Sequence, residues 1–519
     1  MTAATTPYRS RVSGGRDGFA QALRAEWTKF RSVRGWVVTV AGAGALLVLV
    51  VLLTAGTNVA TCGRGDVEEP CPGPVLGPGG RAVEDRFYFV HQPLDGDGVI
   101  TVRVTSMSGR IRRPDPVGLV PGVMPWAKAG LMIKESAEQG APYAAVMVTG
   151  AHGVRMQHGF TEDVAGRPGG VSAAAPRWLR LARSGDTVTG YESADGRQWT
   201  TVGTARLEGL PRTVRIGLFA ASPGDLTVGH GALAGNTEER FTEVTAVMDQ
   251  VGVRGAGTGG AWKQDDIGVS YEPDGTPHHA GGLSRSGGTF TVTGVGEIGP
   301  RLEGMTAQNT LTGTTPALVV VIVIGALFVT SEYRRGLIRT TLTAMPRPGR
   351  VLLAKATVIG GVVFAAGLAG AAAAVPAGLR LLRDNGNVIL PVGALTEARL
   401  IAGTAALLAL SAVLALGLGA LLRRGVAAVI AALALVVLPY ALATASVLPD
   451  TASAWLLRLT PAAAFAVQQG LPEYPQVTHY YSAAGGFYPL PPWAGVAVLG
   501  GYAALAVGLA AYRMRRGDA

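Results

Sequence analysis

Residues 36–54 read WVVTVAGAGALLVLVVLLT, an uncharged run of Val, Leu, Ala and Gly. Wound as an α-helix at 1.5 Å per residue it is about 28 Å long, close to the hydrocarbon thickness of a bilayer, so it is long enough to span one. A cleaved signal peptide is the rival reading. The basic segment ahead of the run is long and the apolar stretch exceeds a usual signal core, which favours a retained span. Moving outward, further apolar runs occupy residues 314–331, 352–378, 400–422, 425–447 and 493–512, and these make six with the first.

Composition agrees. Of 519 residues 48% are hydrophobic and only 15% charged, too few charges to coat a water-soluble protein of this length. The net charge of +10 would suggest nucleic acid in a soluble chain, but the arginines stand beside the apolar runs: Arg31 and Arg34, Arg334 and Arg335, Arg423 and Arg424, and Arg513, Arg515 and Arg516. That is the pattern of cytoplasmic loops, with membrane lipids rather than nucleic acid as the partner. Six crossings from an internal amino terminus return the carboxyl terminus inside, in a multi-pass plasma-membrane protein. Arg380, Arg383 and Arg399, with Asp384 and Glu397, then fall outside and are read as solvated loop charges.

Residues 1–17 are polar and small and are expected to be disordered. From Phe19 the pattern changes: Phe19, Leu23, Trp27, Phe30 and Val33 share one arc of a helix, with Arg24 and Arg31 toward the other side. This is a basic amphipathic helix lying on the membrane surface. Glu26 projects within the apolar arc, where an unpaired carboxylate is costly, so Lys29, Arg334 or Arg335 is expected to neutralise it.

The stretch from 57 to 313 carries charges throughout and breaks at Gly and Pro, so it cannot enter lipid. Residues 57–83 form a Gly/Pro linker holding the only two cysteines, Cys62 and Cys71; outside the cytoplasm a disulfide is the default, and two free thiols the alternative. Residues 84–255 alternate with period two, as at 99–104, 144–148, 177–182, 188–192, 198–202, 214–219 and 241–248. Short strands at such spacing predict an antiparallel sandwich. Residues 256–313 read as a Gly-rich linker with short strands, one at 289–295. The expected class is an α-helical polytopic membrane protein of six transmembrane helices. An all-β sandwich ectodomain is inserted between helices 1 (36–56) and 2, with helices 2–6 in 314–519 and the amino-terminal segment in 1–35.

Two segments carry a resemblance. Residues 23–32, LRAEWTKFRS, the span that follows, and residues 331–342, SEYRRGLIRTTL, ahead of PRPGR at 346–350, together resemble the type-2 permeases of ATP-binding-cassette transporters. The resemblance covers 20–56 and 314–519. It implies six helices per subunit, a dimer with a second permease copy, a surface helix carrying Glu26, Trp27, Lys29 and Phe30, and a coupling segment at 332–350. Residues 126–136, WAKAGLMIKES, with YAAVM at 143–147 and YESADGRQWT at 191–200, look like a concanavalin A-like lectin/glucanase sandwich. That likeness covers 84–250 and implies fold more than activity.

The chemistry present narrows the function. Lys355 is the one charge inside the six runs and is expected to snorkel toward the cytoplasm. Ion-coupled carriers generally need ionisable groups at mid-membrane, which disfavours such coupling. No Gly-Lys dipeptide occurs, so a phosphate-cradling G-x-x-x-x-G-K loop is impossible and ATP hydrolysis would fall to a separate cytoplasmic ATPase subunit. Its docking surface is expected at 332–350: Leu337, Ile338, Leu342 and Met345 as an apolar face on a short helix ended by Pro346, flanked by Glu332, Arg334, Arg335 and Arg339. The plain reading is a cytoplasmic loop whose arginines only fix orientation. Gly417, Gly419, Gly495, Gly500, Gly501 and Gly508 suit close helix packing or reflect composition alone, and Pro439 suggests a kink.

In the sandwich, catalysis would need two positioned carboxylates; Glu162, Asp163, Glu192 and Asp195 read as loop and turn residues instead, and no E-x-D-x-x-E motif occurs. Trp126, Tyr143, Trp178, Tyr191 and Trp199 are candidate glycan contacts, against the commoner role of core aromatics. His152 and His158 lack a third ligand and read as surface residues. No cofactor is called for. The leading expectation is an exporter permease moving a small molecule, lipid or glycan; the alternative is a membrane-anchored glycan-binding or sensing protein, with a glycosidase weakest.

Overall fold

A computed structural model describes residues 18–64, 67–114, 117–230, 235–271, 277–278, 281–345 and 347–516. The expected disorder of 1–17 and the stop at Pro346 lie outside the described residues.

Helix α1 (Phe19–Ser32) is set off from α2 (Arg34–Thr57) by Val33, which leaves the helical region at φ −98°, ψ 95°. The remaining helices are α3 (Thr314–Arg334), α4 (Leu337–Ala344), α5 (Pro348–Asp384), α6 (Ala394–Leu422), α7 (Gly425–Thr444), α8 (Asp450–Leu459) and α9 (Pro492–Arg516). Among the described residues six helices are long and apolar enough to cross a membrane: α2, α3 with its preceding 3-10 turn, α5, α6, α7 and α9. The turn between α3 and α4 needs Gly336, whose φ of 70° is costly for a residue with a Cβ. Pro348 starts α5 in the first turn, where its missing N–H costs nothing, and α7 continues through Pro439.

Helix α6 is central, packing on α3, α5, α7 and α9, while α2 lies on α5 and α3. Small residues permit this closeness. A Cβ on Gly370 of α5 would sit 2.5 Å from the Gly44 carbonyl oxygen of α2, and one on Gly417 would sit 2.8 Å from the Ala506 Cβ of α9. Gly419 and Gly495 also lie at tight contacts, whereas Gly501 and Gly508 face open space, so only some of the glycines seen in the sequence serve packing.

Between α2 and α3 the chain forms a large β unit built on one fourteen-stranded sheet. Its hub is the strand Phe87–Pro114, long enough to join two layers. Residues 88–95 pair with Thr213–Ala221, which leads on through Lys128–Lys134, Tyr143–Thr149 and Val154–His158. Residues 98–104 pair with Arg177–Ser184, which leads to Thr187–Ser193 and Thr200–Arg206. These two wings close on a core that includes Val102, Leu131, Val146, Leu179, Val188 and Leu218.

The β unit extends beyond the expected limits. Lys263–Ile267 pairs with 87–91 and Thr289–Gly294 pairs with 244–248, both within the main sheet, and Ile298–Pro300 pairs with Val83–Asp85. Residues 256–271 and 281–300 are therefore part of the β unit rather than a linker; the strand expected at 289–295 is present as Thr289–Gly294, with Phe290 and Val292 in the core, while glycine at the turns masks Lys263–Ile267 and Gly282–Ser286. In the preceding segment Cys62 and Cys71 are joined by a disulfide, with Cα atoms 4.8 Å apart.

The β unit is seated on one end of the helices. The backbone N–H of Ala60 donates to Asn385 O at 3.0 Å, Leu390 N–H donates to Met305 O at 2.8 Å, and Gln476 Nε2 donates to Thr161 O at 2.7 Å. Since α3 runs from this end to Arg334 and α5 returns from Pro348, the arginine groups collect at the far end, where Arg513 donates to Leu421 O at 2.9 Å.

Candidate functional site

At the arginine-rich end, three helices meet around four charges. Glu26 reaches inward from α1 beside Ala22 and Phe30, which are buried with it. Glu332 comes from the last turn of α3 and Lys355 from the second turn of α5. Lys355 Nζ donates to Glu26 Oε2 at 2.7 Å and to Glu332 Oε1 at 2.6 Å. Lys29 Nζ donates to Glu332 Oε1 at 2.6 Å and to Glu26 Oε1 at 3.3 Å. The cluster is neutral, two ammonium groups against two carboxylates, which is what burial demands.

One expectation is corrected here and another is met only in its Lys29 alternative. Lys355 does not snorkel: it is fully buried, with Phe328 5.3 Å away, because two carboxylates offset the cost of leaving water. Glu26 is held by Lys29 and Lys355, while Arg334 and Arg335 are exposed at the end of α3 and take no part. The sequence could not show that α1 and α5 would touch; the remaining signal was a lone lysine in an apolar run.

The expected docking face divides. Ile338 is buried in the helical core and Leu342 packs against it, being one turn further along the same side of α4. Leu337 is 45% exposed, Arg334 and Arg335 just before α4 and Arg339 within it are exposed too, and Met345 is half-buried. One exposed apolar residue, with Arg334 and Arg335 ahead of α4 and Arg339 on it, is what this segment offers a partner, rather than four apolar residues.

In the β unit, the aromatic residues separate by layer. Trp178 and Tyr191 lie on the outer face of one wing: Tyr191 is in register with Arg180, which shares a face with Trp178. The Arg180 guanidinium lies 3.8 Å from the Trp199 ring, and that of Arg103 lies 5.8 Å from Trp178. Trp126 stacks on His152 at 3.9 Å in the other layer, and Tyr143 is buried there against Phe160, where burial pushes its hydroxyl well above the ordinary phenol value. Three of the five candidates thus share a surface and two do not.

The lysines of the 126–136 segment are consumed structurally. Lys128 Nζ bonds Glu297 Oε1 at 2.8 Å, and Lys134 Nζ bonds Asp85 Oδ2 at 2.7 Å, all in buried positions. They pin the strands Val83–Asp85 and Ile298–Pro300 to the sheet. The carboxylates are also engaged: Asp163 with Arg155 and Gln157, Glu192 with the Arg167 N–H at 2.7 Å, and Asp195 within its own turn, while exposed Glu162 pairs in register with His158. Among the described residues no group of three His, Cys, Asp or Glu is placed to hold a metal ion.

No protein-family model matches the chain, and no curated protein matches it. Among solved structures, 38% of the chain is similar to 91% of a functionally unknown protein from Saccharomyces cerevisiae, at 13% identity and a TM-score of 0.23. Scytalido-glutamic peptidase with a peptide-based transition state analog is similar over 40% of this chain and 98% of that one, at 8% identity and a TM-score of 0.24. The same peptidase with a transition state analog inhibitor gives 41% and 98%, at 9% identity and a TM-score of 0.25. Likeness at this level carries no argument about activity.

Proposed function

We propose that this chain is the membrane-spanning permease of an ATP-driven exporter, working as a dimer with a separate cytoplasmic ATPase and moving a small molecule, lipid or glycan outward. The observation that carries the reading is the cluster of buried Glu26, Glu332 and Lys355 with half-buried Lys29 at its edge, which ties a surface helix and the stem of the arginine-bearing α4 to two apolar helices. A push on Leu337 or on α1 by a partner would act on α3 and α5 through charge-assisted bonds that cannot slip without stranding a buried charge. Lipid solvation is supported by large apolar side chains left bare along the helices, such as Val38 and Leu53 on α2 and Val426 and Ile430 on α7. In this reading the arginine end faces the cytoplasm and the β unit faces outward.

The test is purification of the full chain with its native neighbours. An ATPase that co-purifies with the parent chain and is lost on Leu337→Asp, with the fold retained, supports the permease; a parent chain that comes out alone sinks it.

A second reading, a membrane-anchored glycan-binding protein, is favoured by Trp178, Tyr191 and Trp199 sharing one surface. It requires that the purified chain retain polysaccharide and that Trp199→Ala abolish retention; no binding across a polysaccharide panel removes it.

A further inference from the structure

Where the β unit meets the helices lies a cavity of about 510 Å³, within the size range of small-molecule sites. Arg81 and Arg301 enter it from the β unit, and Arg399, Gln469 and Tyr474 from the helical part. Its lining contains no acidic residue. Arg301 is partly balanced by Glu84 at 3.4 Å. The other two guanidiniums meet only neutral oxygens: Arg81 Nη1 donates to Tyr474 Oη at 3.0 Å, and Arg399 Nη2 donates to the Gln469 carbonyl. The Arg399 Nε–H is buried with no acceptor in the protein. Glu397, two residues earlier, points about 200° away around α6.

Arg399 is partly buried with no counter-charge and an unanswered Nε–H, and Arg81 adds a second unpaired cation at the rim, so the chemistry of this cavity favours an anion. A second, shallower groove of about 470 Å³ shares Thr396 and Arg399 with it and runs onto the outside of the helices between Leu395, Ala398, Ala402 and Trp493. Leu395 is 89% exposed and Trp493 is 56% exposed, as suits residues at the edge of a bilayer. Small alanines form the floor and an indole forms the wall, so an aliphatic chain fits where the cavity's anion would leave it.

We infer that Arg399, with Arg81 and Arg301, forms a binding site for an anionic phospholipid of the outer leaflet. The phosphate sits in the arginine cavity, where guanidinium groups can bond it in pairs. An acyl chain lies over Ala398 and Ala402 beside Trp493. The inference rests on the membrane reading above and narrows the class of amphiphile that the chain handles at its outer face.

The experiment is native mass spectrometry of the full-length protein released from micelles containing equal phosphatidylglycerol and phosphatidylcholine. The parent chain is expected to retain phosphatidylglycerol about tenfold over phosphatidylcholine, and Arg399→Gln to reduce that preference about tenfold, the loss of one charge-assisted contact. Arg81→Gln, at the exposed rim where folding is not at stake, should lower it too. Ala398→Trp fills the groove without altering charge and should expel the lipid while leaving inorganic phosphate as a competitor unaffected. Equal retention of the two lipids, or unchanged retention in both arginine variants, overturns the site. So does displacement of the lipid by inorganic phosphate with no effect of Ala398→Trp, which would make it a free-anion site. The two proposals fail separately: lipid preference without a co-purifying ATPase leaves the site standing and removes the permease, and the converse removes only the site.

Discussion

Lys355 Nζ lies 2.7 Å from Glu26 Oε2, so a lysine inside the third apolar helix is bonded to a helix that precedes the first. The pair is separated by more than three hundred residues of sequence, including the whole β unit. It converts α1 from a segment that only rests on lipid into a part of the helical core.

Removing one member should strand the others. Lys355→Met is expected to destabilise the helical part by about 3–5 kcal/mol, and adding Glu332→Gln in the same chain to recover much of it, because the remaining Glu26 and Lys29 still balance. Thermal unfolding of the full chain in detergent reads this directly. A single variant as stable as its parent would mean that water reaches the cluster.

Neighbouring residues on α4 should behave in opposite ways. Ile338→Asp places a charge in the helical core and should lower the unfolding temperature, whereas Leu337→Asp, at a 45% exposed position, should leave it within about 0.5 kcal/mol of the parent. If both variants unfold alike, α4 is not oriented as described.

Sidedness can be read with single cysteines, since Cys62 and Cys71 occupy each other and leave no free thiol in the background. Thr200→Cys, on an exposed strand position of the β unit, should take an impermeant maleimide in intact cells. Thr340→Cys, exposed on α4, should take it only after permeabilisation. Labelling of both from one side rules out the proposed orientation.

The turn at Asp195 should report on acid. Its carboxylate accepts from the N–H groups of Gln198 and Arg197 at 2.9 and 2.8 Å, and these bonds hold its pKa down at about 2. The folded value lies below the unfolded one, so this contribution is complete above about pH 4 and is lost as pH falls toward about 2. Asp195→Asn should therefore flatten the fall in unfolding temperature across that window. An unchanged acid profile would show that the turn does not couple to stability.

Much of the architecture was legible. Six apolar runs needed no partner to be recognised, because crossing hydrocarbon depends on length and the lack of charge, properties local to 36–54 and its counterparts. Strands such as Tyr143–Thr149 and Thr213–Ala221 announced themselves through apolar content and flanking turns. The strand at 289–294 was legible as well, whereas Lys263–Ile267 was hidden: it is short, charged and stabilised by a neighbour far away in sequence, so local pattern is faint.

The sites divide along the same line. That Glu26 and Lys355 were anomalous could be seen, since a charge on an apolar face or in an apolar run needs a partner whatever the fold. That they would be one another's partners could not, nor that Ile338 would turn inward beside exposed Leu337, nor that Arg81, Arg301 and Arg399 would line one cavity. The sequence by itself determined which segments leave water and which charges would have to be neutralised, because solvation is paid residue by residue. Only the tertiary structure decided who neutralises whom, because pairing depends on which helices and strands pack together, a property that no single segment carries.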